Sequence, residues 1–264
     1  EGEVFDYFGG QEDLKARHVR FIGDAETRIK EDYLRLLRFF RFYARYGKDE
    51  PDAKAMQACK ALAPGMSQLS GERVQQELLA LLAFPNVYST LRLMHDNGIL
   101  DHALDVKLED ISLLEKVEQL GGQLLAQDPL VKLKALLIRL NYEARDAIIE
   151  RLRLSNADAK SIRYSELIPP SASLVYQDKL YQKMGPYIFS ISSTLSAAVV
   201  GDVAPFKAMA NLSRPPLPVN GDDLIAMGYQ PGKEMGDMLR QLQEHWANSR
   251  YQLTKEQLLA KIKR

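Results

Sequence analysis

Apolar residues recur along this chain with a helical rather than an alternating period, and no stretch of convincing length reads as a strand. The clearest case runs from Ala25 to Tyr46, where Ile29, Tyr33, Leu36, Leu37, Phe40, Tyr43 and Ala44 fall on one side. The pattern predicts one amphipathic helix of about five to six turns, closed by Gly47 as its C-cap. A short helix over Pro51 to Ala63 follows, ended by Ala63-Pro64-Gly65. Ser70 then caps a helix over ERVQQELLALLAF that stops at Pro85. Further helices are predicted over Tyr88 to Asn97, Ser112 to Leu120, Pro129 to Leu140, Tyr142 to Leu152, Asn156 to Leu167 and Ser173 to Lys183. From Met184 to Gly201 the chain is uncharged and nearly long enough to span a membrane. Its five serine and threonine residues, two glycines and a proline make it a buried helix instead. The stretch SRPPLP, residues 213–218, reads as a linker, and Asn220-Gly221-Asp222-Asp223 opens a last helical region ending in basic residues.

Composition narrows the reading. With 264 residues, 46% hydrophobic, the chain can bury a sizeable core in one or two domains. Thirty-five basic residues balance 35 acidic ones, so any nucleic-acid partner must be met by local clusters rather than by a global field. The single cysteine, Cys59, excludes a disulfide framework and a thiolate zinc site within this chain and suits a reducing cytosol. The first ten residues do not read as a signal peptide, so the expected location is cytoplasmic. His18, His95, His102 and His245 lack metal-ligand spacing. His95-Asp96 suits a helix end better than a metal-dependent phosphohydrolase centre. No Gly-x-Ser-x-Gly elbow or Walker loop is present, and Gly9-Gly10 alone is a weak phosphate signal.

The distinctive chemistry lies in the first long helical segment. From Ala25 to Lys48 there are seven basic residues and three acidic ones, with Arg35, Arg38 and Arg41 at three-residue steps after Asp32. Such steps form a ridge along a helix. A solvated charged face is the ordinary fate of such a ridge. Here Arg45 adds a fourth guanidinium, and Tyr33, Phe39, Phe40, Phe42, Tyr43 and Tyr46 are interleaved. Arginine forks beside aromatic platforms are what nucleotide and RNA recognition use. A carboxylate accepts from an exocyclic amino group, and an adjacent arginine donates to a ring nitrogen or carbonyl. Cytosine and adenine each offer an amino donor beside an acceptor, whereas uracil and guanine present the reverse order. One Asp32/Arg35 pair could therefore accept C and A and leave polar groups unpaired against U and G.

The run from Glu31 to Phe42 resembles the Glu-Asp-x-x-Arg-x-x-Arg motif of class II CCA-adding tRNA nucleotidyltransferases and the related bacterial poly(A) polymerases. Asp6-x-x-Gly9-Gly10-x-x-Asp13-Leu14-x-x-Arg17, with residues 20–25, is similar to the segment preceding it in that family. Ser70-Gly71-Glu72-Arg73 with Glu77-Leu78 resembles the following Ser-x-Glu-Arg motif, and Leu217 to Leu224 with Gly228 to Gly232 resembles the tail signature. These anchors occur in the family's order and span nearly the whole chain. The resemblance implies that Asp32 and Arg35 pair with incoming CTP or ATP without a nucleic-acid template. It implies that Arg38 and Arg41 contact the nucleotide's phosphates or ribose, that Glu31 supports the pair, and that Glu72 and Arg73 brace the motif helix.

The family's head domain, with its Gly-Gly turn, Asp-x-Asp magnesium pair and Arg-Arg-Asp motif, has no counterpart in this sequence. No catalytic or metal-binding residue is therefore expected in this chain, and Mg²⁺ would act through a head domain. Phosphoryl transfer needs metal carboxylates against the developing phosphate charge, so this chain alone is expected to be inactive. The implied fold is all-α. Residues 1–24 would be an extended or hairpin remnant of the head, residues 25–87 a neck that recognises nucleotide and RNA, 88–212 a helical body, and 213–264 linker and tail. The short, modestly basic end favours CCA addition over poly(A) synthesis. The partners implied are CTP, ATP and the tRNA acceptor end, with Lys255, Lys261, Lys263 and Arg264 as loose phosphate contacts and no membrane. A non-enzymatic helical RNA-binding module is the alternative of another class.

Overall fold

The computed structural model describes residue 2, residues 4–48 and residues 50–262. Among these, all regular structure is helical. The first helices are α1 (Gly10–Ala16), α2 (Ala25–Glu31), α3 (Leu34–Tyr46), α4 (Ala53–Leu62), α5 (Gly71–Leu82), α6 (Tyr88–Asp96) and α7 (Ile99–Leu104). The middle holds α8 (Ser112–Gln119), α9 (Pro129–Leu137), α10 (Tyr142–Arg151), α11 (Asn156–Tyr164), α12 (Leu174–Met184), α13 (Pro186–Val200) and α14 (Ala204–Ala210). The last three are α15 (Gly221–Ala226), α16 (Lys233–Asn248) and α17 (Lys255–Leu259).

Several expectations change. The helix predicted over Ala25 to Tyr46 is two helices, interrupted at Asp32 and Tyr33. The N-terminal piece expected to be extended contains α1, because the Asp6 carboxylate accepts from the N–H groups of Gly10 and Gln11, both at 2.8 Å. That satisfies donors that the first turn leaves open. Arg20 then ties the piece down through Asp13 and the Phe8 carbonyl. The break at Ala63-Pro64-Gly65 is a turn of 3₁₀ helix, Ala63–Gln68, that carries on from α4. Ser70 stands at the N-cap of α5, but its side chain makes no capping hydrogen bond. Gly47 ends α3 in extended rather than left-handed backbone.

One hydrophobic core runs from Ile29 on α2 through Leu36, Leu37 and Phe40 on α3, Leu78 on α5 and Leu133 on α9 to Leu195 on α13. Residues of 25–87 and of 88–212 therefore share a core. A smaller cluster gathers Phe189 and Phe206, and a third, in the tail, gathers Val219, Leu224, Leu242, Trp246 and Leu258. Two buried lysines of α9 serve the fold: Lys132 donates to the Phe84 carbonyl at 2.7 Å, and Lys134 donates to the Ile162 carbonyl near the end of α11. Burial, with Arg145 nearby, pushes the Lys134 ammonium down to about 7.

The uncharged run forms α13, and its hydroxyls are used inside the protein. Ser192 accepts from the Glu166 N–H, Ser196 from the Ile168 N–H and Thr194 from the Leu125 N–H, so the helix holds down two irregular segments. No helix among the described residues is long and apolar enough to cross a membrane. The SRPPLP stretch has no regular structure, yet Arg214 within it is anchored. Its guanidinium lies 4.5 Å from the Tyr181 ring centroid and 4.8 Å from that of Phe189, and its Nε reaches Asp178 on α12 at 3.1 Å. Tyr251, beyond α16, also donates to Asp178. This junction and the packing of α16 on α12 seat the tail against the body.

Candidate functional site

The helix break builds the site. Asp32 takes up extended backbone, φ −158° and ψ 106°, and its carboxylate accepts from the Leu34 N–H at 3.1 Å, capping the start of α3. The Tyr33 ring lies against Gly65 so closely that a Cβ there would stand 1.9 Å from a ring carbon. Asp32 and Arg35 are therefore not neighbours on one continuous helix, as their spacing suggested. Each has its own partner. Arg73 of α5 donates to both Asp32 carboxylate oxygens, at 2.8 and 3.1 Å. Arg35 turns back to the Glu31 carboxylate and the Arg28 carbonyl, using one terminal nitrogen for both. Its Nε and its other terminal nitrogen make no hydrogen bond among the described residues.

Contacts between α3 and α5 advance together. Asp32 meets Arg73, and Arg38 and Arg41 both meet Glu77, at 3.1 and 2.6 Å from Nε. At the far end the Arg45 guanidinium lies 6.0 Å from the Phe84 ring centroid. The two helices thus run parallel, and residues 73 and 77, four apart, share the face turned to α3. Glu77 is the organising carboxylate, with its side chain only 11% exposed. Its role escaped the sequence reading, although four-residue spacing after Arg73 is a signal that places it on the same face. Arg73 braces the break itself. Glu72 is exposed in the first turn of α5 and makes no side-chain hydrogen bond or ion pair among the described residues.

Both carboxylates at the break are held ionised. Burial pushes the Asp32 carboxyl up, but the Leu34 N–H and Arg73 outweigh it and leave the group below its ordinary value. The hydrogen bond from Arg35, with Arg28 adding charge, lowers Glu31. The result is an ionised acceptor at Asp32 and guanidinium donors at Arg35, Arg38 and Arg41 in succession along α3. No group of three or more His, Cys, Asp or Glu among the described residues could hold a metal ion. His95 contacts the Leu108 carbonyl and Asp96 at the end of α6. Lys255 pairs with Asp223, Lys261 is exposed, and Lys263 and Arg264 lie outside the described residues.

The start of α5 is fixed from the body. Arg151 of α10 donates to the carbonyls of Leu69 and Met66, and its own carbonyl oxygen would lie 2.0 Å from a Cβ at Gly71. Gly71→Ala is therefore expected to cost about 1–3 kcal/mol through forced displacement of α5, whereas Gly122→Ala, which meets open space, leaves stability nearly unchanged. Urea unfolding of both variants measures this. Equal midpoints for the two would contradict the close approach.

The fold is that of CCA-adding enzymes. It superposes on the Bacillus stearothermophilus CCA-adding enzyme in complex with CTP with a TM-score of 0.72, covering 97% of this chain and 67% of that one at 22% identity. On the Thermotoga maritima CCA-adding enzyme complexed with tRNA_CCA the TM-score is 0.71, with 97% and 66% covered at 18% identity. In sequence, the chain is 33% identical over 279 residues to the mitochondrial CCA tRNA nucleotidyltransferase 1 of Mus musculus, covering 100% of this chain and 62% of that protein. It is 28% identical to the CCA-adding enzyme of Streptococcus sanguinis, covering 92% and 62%. Residues 50–106 match a family model described as the probable RNA and SrmB-binding site of polymerase A. Over its whole length the chain is thus similar to part of the CCA-adding enzymes. It spans about 62% of the length of these curated relatives.

Proposed function

We propose that this chain is the nucleotide-selecting and tRNA-binding part of an enzyme that adds CCA to tRNA 3′ ends from CTP and ATP. The observation that carries this reading is the α2–α3 break, where Asp32 is held ionised by the Leu34 N–H and Arg73, while Arg35, one turn on, is anchored to Glu31 and Arg28 through one nitrogen and keeps its other donors spare. Asp32 accepts the exocyclic amino group of cytosine or adenine, while Arg35 donates to the neighbouring ring acceptor. Uracil and guanine leave both protein groups opposed to like partners. Arg73, which donates to both Asp32 oxygens, is the partner that the base displaces or shares. Arg38 and Arg41, held by Glu77, present donors to the phosphates or ribose, with Glu31 keeping Arg35 in place.

Among the described residues no group of three or more His, Cys, Asp or Glu is placed to hold a metal ion, and no role proposed for them runs through one. Metal chemistry, and with it catalysis, is assigned to a head domain. Residues 1–24 would adjoin that domain, 25–87 form the neck, 88–212 the body, and 213–264 the linker and tail. CCA addition is preferred to poly(A) synthesis because the relatives named above are CCA-adding enzymes. The proposed location is the cytoplasm; the mitochondrial name of the mouse relative makes the organelle the alternative.

Binding and incorporation test the proposal together. The chain is expected to bind tRNA lacking CCA, with affinity falling as salt rises, and to incorporate no labelled CMP by itself. Incorporation by the isolated chain would contradict the division of labour. Binding of tRNA without any preference for CTP and ATP would instead favour the plain RNA-binding module.

A further inference from the structure

We propose that the C-terminal half of α3 carries a stacking platform for an unpaired RNA 3′ end, formed by Phe42 and Tyr46 and flanked by Arg41 and Arg45. This rests on the reading of the chain as part of a tRNA-extending enzyme and adds to it a surface beyond the base-reading residues. Residues 35, 38, 42 and 46 follow one another at steps of three and four, so they form one line along the helix. The line runs about 16 Å from Arg35 to Tyr46.

The two rings stand apart from the others on α3. Phe39 and Phe40 are buried, whereas Phe42 is 43% and Tyr46 is 38% exposed. Their centroids are 6.1 Å apart and their planes within 22° of parallel. The Arg41 guanidinium lies 4.9 Å from the Phe42 centroid, and that of Arg45 lies 5.1 Å from the Tyr46 centroid. Guanidinium, ring, ring and guanidinium thus form a ladder open to solvent. Arg41 is fixed by Glu77, and Arg45 makes no ion pair among the described residues, so positive charge at the ladder's end is uncompensated.

That combination selects the occupant. An apolar protein helix would bury the two rings but also desolvate the Arg45 charge without a partner. A single-stranded RNA satisfies both. Its bases stack on aromatic and guanidinium planes whatever their identity, and its phosphates pair with arginine. The tolerance suits a primer whose terminal base changes as nucleotides are added, while selection stays with Asp32 and Arg35 at the other end of the line.

The test compares equilibrium binding of the chain to a short labelled single-stranded RNA and to a duplex RNA of equal charge. The variants are Phe42→Leu with Tyr46→Leu, which keeps apolar bulk and helix propensity, and Phe42→Tyr with Tyr46→Phe, which keeps both rings. The leucine pair is expected to weaken single-strand binding roughly tenfold to hundredfold and to leave duplex binding and the circular dichroism spectrum unchanged. The ring-preserving pair is expected to bind like the unaltered chain. No loss in the leucine pair, or equal loss for strand and duplex, would overturn the platform. If the unaltered chain binds neither RNA, the proposed function fails along with it; if it binds RNA and the leucine pair binds equally well, only the platform fails.

Discussion

Arg214→Ala is expected to destabilise the chain by about 3–5 kcal/mol. Arg214 and Asp178 side chains are each only 6% exposed, and they pair at 3.1 Å between body and tail. The arginine also donates to the Met209 and Leu212 carbonyls and lies between two aromatic rings. Truncating it strands a buried carboxylate whose remaining partner is the Tyr251 hydroxyl. The converse differs. Asp178 Oδ2 and one Arg214 terminal nitrogen have no hydrogen-bond partner among the described residues, so the pair is imperfectly satisfied. Replacing both together, by Asp178→Leu and Arg214→Met, is expected to recover most of the loss.

Two single-copy residues report on this separately. Trp246, packed edge-on against Tyr251 at 5.2 Å, senses the tail by its fluorescence. Cys59, fully buried in the neck with its thiol pushed up to about 12 by burial, reacts with a thiol reagent only when the neck opens. In Arg214→Ala the tryptophan transition is expected at lower urea, with the cysteine following later. A shift below about 1 kcal/mol in both signals would show that the junction does not hold the tail.

The second large effect concerns selection. Asp32→Ala is expected to reduce discrimination of CTP over UTP by about tenfold or more, because the wrong base no longer meets a mismatched acceptor. Stability should fall little. The Asp32 and Arg73 side chains are 27% and 45% exposed, so their pair contributes at most about 1 kcal/mol, and loss of the cap at Leu34 adds about 0.5–2 kcal/mol. The ratio of dissociation constants for the two nucleotides, set beside the unfolding midpoint, separates a reading role from a structural one. A variant that loses stability but keeps its selectivity would refute the assignment.

Most helix positions followed from apolar period and punctuation, as at the helix stopped before Pro85 and the one opened by Asn156. The break at Asp32 did not, because Glu31, Asp32, Tyr33 and Leu34 all suit a helix; what interrupts it is the Asp32 side chain bonding the Leu34 N–H, with Tyr33 lodged over Gly65. The arginine ridge was visible in the spacing, but its pairing with Glu77 spans up to 39 residues and needs two parallel helices. Arg214 looked like part of a flexible stretch because prolines follow it, and only the tertiary structure brings Asp178 to it. The serines of α13 pointed away from a membrane span, though the N–H groups they serve lie in distant segments.

Equilibrium binding of all four nucleoside triphosphates to the unaltered chain tests the central assignment most directly. CTP and ATP are expected to bind at least about tenfold more tightly than UTP and GTP, the size of one mismatched hydrogen-bond pair. Equal affinities for the four, or a preference that divides purines from pyrimidines, would contradict the reading of bases by Asp32 and Arg35.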